Sequence, residues 1–129
     1  MGKYQKKSLF WRSFGQAYRG ILYSWKTQRN LRFHIITGAI VLFAAWWVKL
    51  TRWEWAILLL TIGSVIATEV MNTAVEIVVD LVQPNFHPLA GMAKDVAAGA
   101  VLVTAIQAVA VGIVLFGPPL GRWVGEVVR

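Results

Sequence analysis

The chain has 129 residues, 57% of them hydrophobic and 15% charged, with a formal net charge of +7 and a mean hydropathy of +0.59. A soluble domain averages about 45–50% apolar and about 25% charged residues, so this composition argues for an integral membrane protein. The absence of cysteine excludes a disulfide framework and a thiolate metal site.

Residues 1–7 (MGKYQKK) are polar and basic and are expected to fray. Over residues 8–26 the pattern is helical. Phe10, Phe14, Ala17, Tyr18, Ile21, Leu22 and Trp25 recur at the 3.6-residue period, opposite Arg12, Ser13, Gln16 and Arg19. An aromatic face against a basic face predicts a helix lying in the membrane interface. Residues 27–32 read as a polar joint. The first transmembrane helix is expected over 33–48, with Trp46 and Trp47 at its outer interface. Residues 49–54 form a short polar turn.

A second transmembrane helix is expected over 53–80. Its 28 or so residues measure roughly 42 Å at 1.5 Å per residue, more than the hydrocarbon thickness of about 30 Å, so its end should project into the interface. Pro84 and Pro88 then break the chain, and the run QPNFHPLAG reads as a loop. Lys94 and Asp95 are expected to open the third transmembrane helix, over 95–116, and Gly117, Pro118 and Pro119 to stop it. The fold class predicted is all-α, one membrane domain over 1–129: a surface helix followed by three transmembrane helices. No cleavable leader is apparent, so the first span is expected to direct insertion. Eight Lys and Arg precede that span and two lie in the 49–54 turn, which puts the N-terminus in the cytoplasm, by the positive-inside rule. The basic residues are read as topology and lipid contacts, not as a nucleic-acid surface.

Glu69, Asn72, Thr73, Glu76 and Asp80 interrupt the second span. At 100° per residue they share an arc of about 100°. A carboxylate at mid-bilayer costs about 2.5–3.5 kcal/mol on the insertion scale, so a polar stripe in a span calls for a partner or a function. Counted from Trp53, Glu69 lies about 24 Å and Glu76 about 35 Å along the axis. That places them at the inner boundary, where a lipid headgroup and a cytosolic solute meet. His87, Lys94 and Asp95 follow in the next loop and turn. Carboxylates and a lysine suit a magnesium–nucleotide site, with hard oxygens for Mg²⁺ and a point cation for phosphates. Each member alone has a plainer reading: Glu69 an assembly hydrogen bond, Asp80 a solvated helix end, Lys94 a snorkelling anchor, Asp95 a helix-dipole charge. His34 and His87 are weak signals by themselves. No P-loop and no kinase glycine loop is present.

The run EVMNTAVEIVVD from Glu69 to Asp80, followed by HPLAGMAKDVAAGAV from His87, resembles the signature of the prokaryotic diacylglycerol kinase family. It is most similar to the Gram-positive branch of undecaprenol kinases, and the resemblance covers nearly the whole chain. It implies a homotrimer with composite sites between subunits at the cytoplasmic surface, transferring the γ-phosphoryl of Mg-ATP to a lipid hydroxyl. It implies Glu69 as general base, Glu76 as magnesium ligand and Asn72 as a positioning group. It further implies Asn85, Phe86 and His87 as nucleotide contacts, Lys94 and Asp95 as a phosphate-binding pair, and Gln16 and Gln28 as further nucleotide-site positions. Gln28 stands where enteric members carry a metal-binding glutamate, so Glu76 is expected to take more of the Mg²⁺, with Asp80. Three alternatives stay open: diacylglycerol as the lipid, a proton-coupled transporter built on Glu69, and a non-catalytic assembly protein.

Overall fold

A computed structural model describes residues 3–127, with side chains from residue 10 onward. Four helices follow in order: α1 (Lys3–Thr27), α2 (Arg29–Trp47), α3 (Arg52–Val82) and α4 (Pro88–Val127). The expected fraying of the first two residues lies outside the described part; from Lys3 the backbone is helical. Helices α2, α3 and α4 are each long and apolar enough to cross a membrane. Their lengths of 19, 31 and 40 residues correspond to roughly 28, 46 and 60 Å at 1.5 Å per residue.

The polar joint expected over 27–32 shrinks to a single residue. Gln28 has extended dihedrals, φ −102° and ψ 114°, and helix resumes at Arg29. Thr27 keeps its hydroxyl on the Tyr23 carbonyl at 2.9 Å, which holds the last turn of α1 closed. The second joint is short as well. Lys49 takes a left-handed φ of 58°, a common way to end a helix, and the Leu50 N–H returns to the Ala45 carbonyl at 3.1 Å. Thr51 then caps α3 in a capping box: its amide donates to Glu54 Oε2 at 2.7 Å, and its hydroxyl accepts from the Glu54 amide at 3.5 Å.

Helix α4 departs most from expectation. It opens at Pro88, not Lys94, because proline fits a first helical turn whose N–H has no partner. His87 caps it, with Nδ1 accepting the Leu89 N–H at 3.2 Å. The helix also runs through Pro118 and Pro119 to Val127. Gly117 before them carries no side chain to collide with the first proline ring. The extension reaches the α2–α3 turn, where Leu120, Arg122 and Trp123 face Trp47 and Lys49 across a cavity of about 710 Å³. With glycine before the prolines, the local helix-breaking signal does not end the helix.

The buried core is thin. Ala45, Leu58 and Leu115 join α2, α3 and α4 in one cluster. Thr68 and Thr104 share a hydroxyl–hydroxyl bond of 2.9 Å between α3 and α4. Large apolar side chains such as Leu60, Met71, Val103 and Ile113 remain exposed along the helices, as lipid or a second subunit would require. Helix α2 approaches α3 closely at Gly38, where an added Cβ would stand 3.2 Å from Ile62 Cγ2. Alanine there asks Ile62 to yield slightly; leucine drives the helices apart. Gly38→Leu is therefore expected to cost about 1–3 kcal/mol through overpacking, read as a lowered unfolding midpoint in detergent, while Gly38→Ala changes it far less.

Candidate active site

The inner stripe of α3 builds the site. Leu58, Thr61, Val65, Glu69 and Thr73 are its buried residues, spaced at threes and fours so that they lie on one face. Glu69 therefore points into the bundle and is 2% exposed. Its Oε1 lies 3.3 Å from Nε2 of His34 on α2, but the two do not meet hydrogen-bond geometry, and Oε1 is buried without a partner. Thr73, one turn on, bonds the Glu69 carbonyl at 2.9 Å and leaves the carboxylate alone.

Two turns beyond Glu69, three residues form a second cluster. Glu76 Oε1 accepts from Asn72 Nδ2 at 3.0 Å, and Glu76 Oε2 accepts from Gln28 Nε2 at 2.9 Å. Gln28 is the N-cap residue of α2, yet its side chain does not cap that helix. It is longer than the Ser, Asp or Asn usual there and crosses to α3. The break between α1 and α2 thus delivers an amide to a carboxylate 48 positions away. Asn72 Oδ1 is buried and unpartnered.

This donor set bears on a divalent cation. Among the described residues, no three His, Asp or Glu side chains stand together as a metal cage. The cluster instead offers one carboxylate, the free carbonyl oxygen of Asn72 and the amide of Gln28, whose oxygen faces Glu76 after a half-turn. Magnesium uses hard oxygens, keeps several waters and commonly binds through one or two carboxylates plus substrate phosphates. These residues fit an ion that arrives with a nucleotide.

The remaining residues singled out from the sequence are dispersed. Asp80 is not shared with Glu76; it pairs with Lys94 at 2.5 Å, with side chains 64% and 37% exposed. Lys94 lies in the second turn of α4, not at its start. Gln16, Asn85, Phe86, His87 and Asp95 are exposed, Phe86 almost fully at 95%. The residue that sequence reasoning passed over is His34. A lone histidine near a helix start carries no pattern, and only the packing of α2 on α3 brings it to Glu69.

Fold and site together define a helical membrane protein with a carboxylate–amide centre in one half of its longest-packed span, the layout of a membrane-embedded enzyme. The family model described as prokaryotic diacylglycerol kinase matches residues 15–116. The chain is 43% identical over 111 residues to an undecaprenol kinase of Bacillus subtilis, covering 86% of this chain and 90% of that one. It is 50% identical over 109 residues to a diacylglycerol kinase of Synechocystis, covering 84% of this chain and 62% of that one. It is 28% identical over 95 residues to the diacylglycerol kinase of Escherichia coli K12, covering 74% and 78%. The chain belongs to the prokaryotic diacylglycerol kinase family, and with it to the lipid kinases.

Proposed function

We propose that this protein phosphorylates undecaprenol, transferring the γ-phosphoryl of ATP to the lipid hydroxyl at the cytoplasmic face of the bacterial membrane. The observation that carries the reading is Glu69: a carboxylate sealed inside a spanning helix, without a hydrogen-bond partner, two turns from an oxygen-rich cluster. Burying such a group is costly, and the cost is explained if the carboxylate works on a hydroxyl that comes from the lipid side.

Phosphoryl transfer is chiefly positioning and charge stabilisation. Glu69 takes the proton of the lipid hydroxyl as its oxygen bonds the γ-phosphorus, and the bond to the β-phosphate oxygen breaks to release ADP. Glu76, with the carbonyl oxygens of Asn72 and Gln28, would hold magnesium, which supplies positive charge to the phosphates. Lys94 is held by Asp80 in an exposed pair. Such pairs are worth only about 0–1 kcal/mol, so Lys94 can exchange Asp80 for a phosphate at little cost. Asn85, Phe86, His87 and Asp95 lie in the loop and first turns beside it, on the same end of α4, and Gln16 on the outer side of α1. Their exposure in a single chain suits nucleotide contacts completed by a second copy in a homotrimer. Helix α1, with Phe10, Phe14 and Tyr18 exposed, would lie along the inner surface.

The second reading keeps the chemistry and changes the lipid to diacylglycerol, favoured by the 50% identity to the Synechocystis protein. Transfer of labelled γ-phosphate to each alcohol, at equal surface fraction in mixed micelles, tests both. Undecaprenol is expected to be the better acceptor; a reversed preference overturns the lipid assignment, and no transfer to either by folded protein overturns the kinase reading. The metal proposal has its own check. Gln28→Glu removes the amide that bonds Glu76 and sets two carboxylates together. It is expected to lower the melting temperature without magnesium, and to lower the magnesium concentration needed for half-maximal rate. Unchanged values for both would remove Gln28 from the metal site.

A further inference from the structure

Glu69 lacks what a base in a buried site usually has, a neighbour that fixes its carboxylate. The amides nearest along α3 and at the α1–α2 joint are committed elsewhere: Asn72 and Gln28 both donate to Glu76. The Thr73 hydroxyl is committed to a backbone carbonyl. Glu69 Oε1 is left buried and unpartnered, and the imidazole that approaches it from another helix is that of His34, at 3.3 Å.

His34 is placed to be that neighbour. It comes from a different helix, so the approach is set by the packing of α2 on α3. Its ring packs edge-on against Phe33, with centroids 5.5 Å apart and planes at 73°, which limits its rotation. Its side chain is 21% exposed against 3% for Glu69. It also lines an apolar cavity of about 470 Å³ between α2, α3 and α4, which Glu69 does not line. His34 thus stands between the buried carboxylate and the space an apolar substrate can enter.

We propose that His34 is the positioning residue for Glu69: its Nε2–H donates to Oε1 and leaves Oε2 to take the proton of the lipid hydroxyl. A small rotation of the imidazole converts the 3.3 Å approach into an aligned bond. That bond selects one carboxylate rotamer and supports its negative charge before the hydroxyl arrives. The inference rests on the kinase reading above and adds a residue that the Glu69-to-Asp80 signature does not contain.

The test compares His34→Asn with His34→Gln in the micelle kinase assay, beside wild type. A glutamine amide reaches about as far from the backbone as Nε2; an asparagine amide stops short at the place of Nδ1. Both are neutral and polar, so a merely structural role treats them alike. His34→Asn is expected to lower kcat about 10–100-fold, the range seen when a supporting group is lost or a reacting group is misplaced, with KM for ATP unchanged. His34→Gln is expected to recover most of that loss. Wild-type kcat in His34→Asn, or an equal loss in both variants, overturns the inference. If His34→Asn does not assemble, His34→Leu takes its place, keeping the contact with Phe33 and offering no donor, with the same two readings. Wild type without transfer to any lipid alcohol would remove the kinase reading and this inference together; active wild type with intact His34→Asn removes the inference alone.

Discussion

Glu69→Gln is expected to abolish turnover almost completely and leave the fold intact. The substitution keeps shape and volume, so the inner stripe of α3 from Leu58 to Thr73 packs as before. The structure holds no hydrogen bond to Oε1, and the amide oxygen of glutamine can accept from His34 in its place. A buried charge is replaced by a neutral amide, which makes burial cheaper. The proton acceptor is gone, and a positioned general base contributes about 10²–10⁴-fold. The expected result is a fall in kcat of that order, with an unchanged elution volume in size-exclusion chromatography and a melting temperature equal to or above wild type. Full activity in the folded variant would exclude Glu69 as the base. A fall in activity together with loss of assembly would assign it a structural role.

Glu76→Leu is expected to do more damage of a different kind. Glu76 accepts from two amides on two sides, Asn72 along its own helix and Gln28 from the break between α1 and α2. Leucine leaves both half-buried amides without their partner, and an unsatisfied polar group costs up to about 1–3 kcal/mol when fully buried. The junction that seats α1 against α3 should loosen, so the melting temperature should fall. The same change removes the carboxylate proposed for magnesium. Glu76→Gln separates the two effects: it keeps one acceptor oxygen, and the neighbour that meets its new N–H can turn its own amide carbonyl to accept, so most of the stability remains, while turnover at low magnesium is lost and only partly regained at high magnesium. Stability lost equally in both variants would mean that Glu76 holds the joint by charge alone. Turnover retained in Glu76→Gln at low magnesium would take the metal away from Glu76.

Much of this was legible along the chain because two periodicities carry it. Apolar runs of sufficient length identify the three spans. The threes and fours from Glu69 to Glu76 put a polar stripe on one helix face, and backbone geometry requires these whatever the neighbours are. The ends of α4 were misjudged for a physical reason. Lys94–Asp95 and Gly117–Pro118–Pro119 are local signals, but proline tolerates a first turn at Pro88, and Gly117 leaves room for the proline ring, so the helix continues beyond Pro119. The polar joint was overestimated likewise, since Gln28 alone breaks the helix while its charged neighbours remain within it.

By itself, then, the sequence determined class, helix number, the polar face of α3 and, through the Glu69-to-Asp95 signature, the family. Those rest on composition, on repeat distance along one helix, and on motif spacing, all of which are properties of neighbouring residues. The tertiary structure alone decided who meets whom across helices. It sent the Gln28 amide to Glu76, gave Lys94 to Asp80, and turned His34 toward Glu69. None of these pairs shares a helix or a repeat. Each depends on the angle and rotation at which α2 and α4 pack on α3, and those follow from the summed contacts of many side chains, such as the close approach at Gly38 and Ile62, rather than from any local pattern.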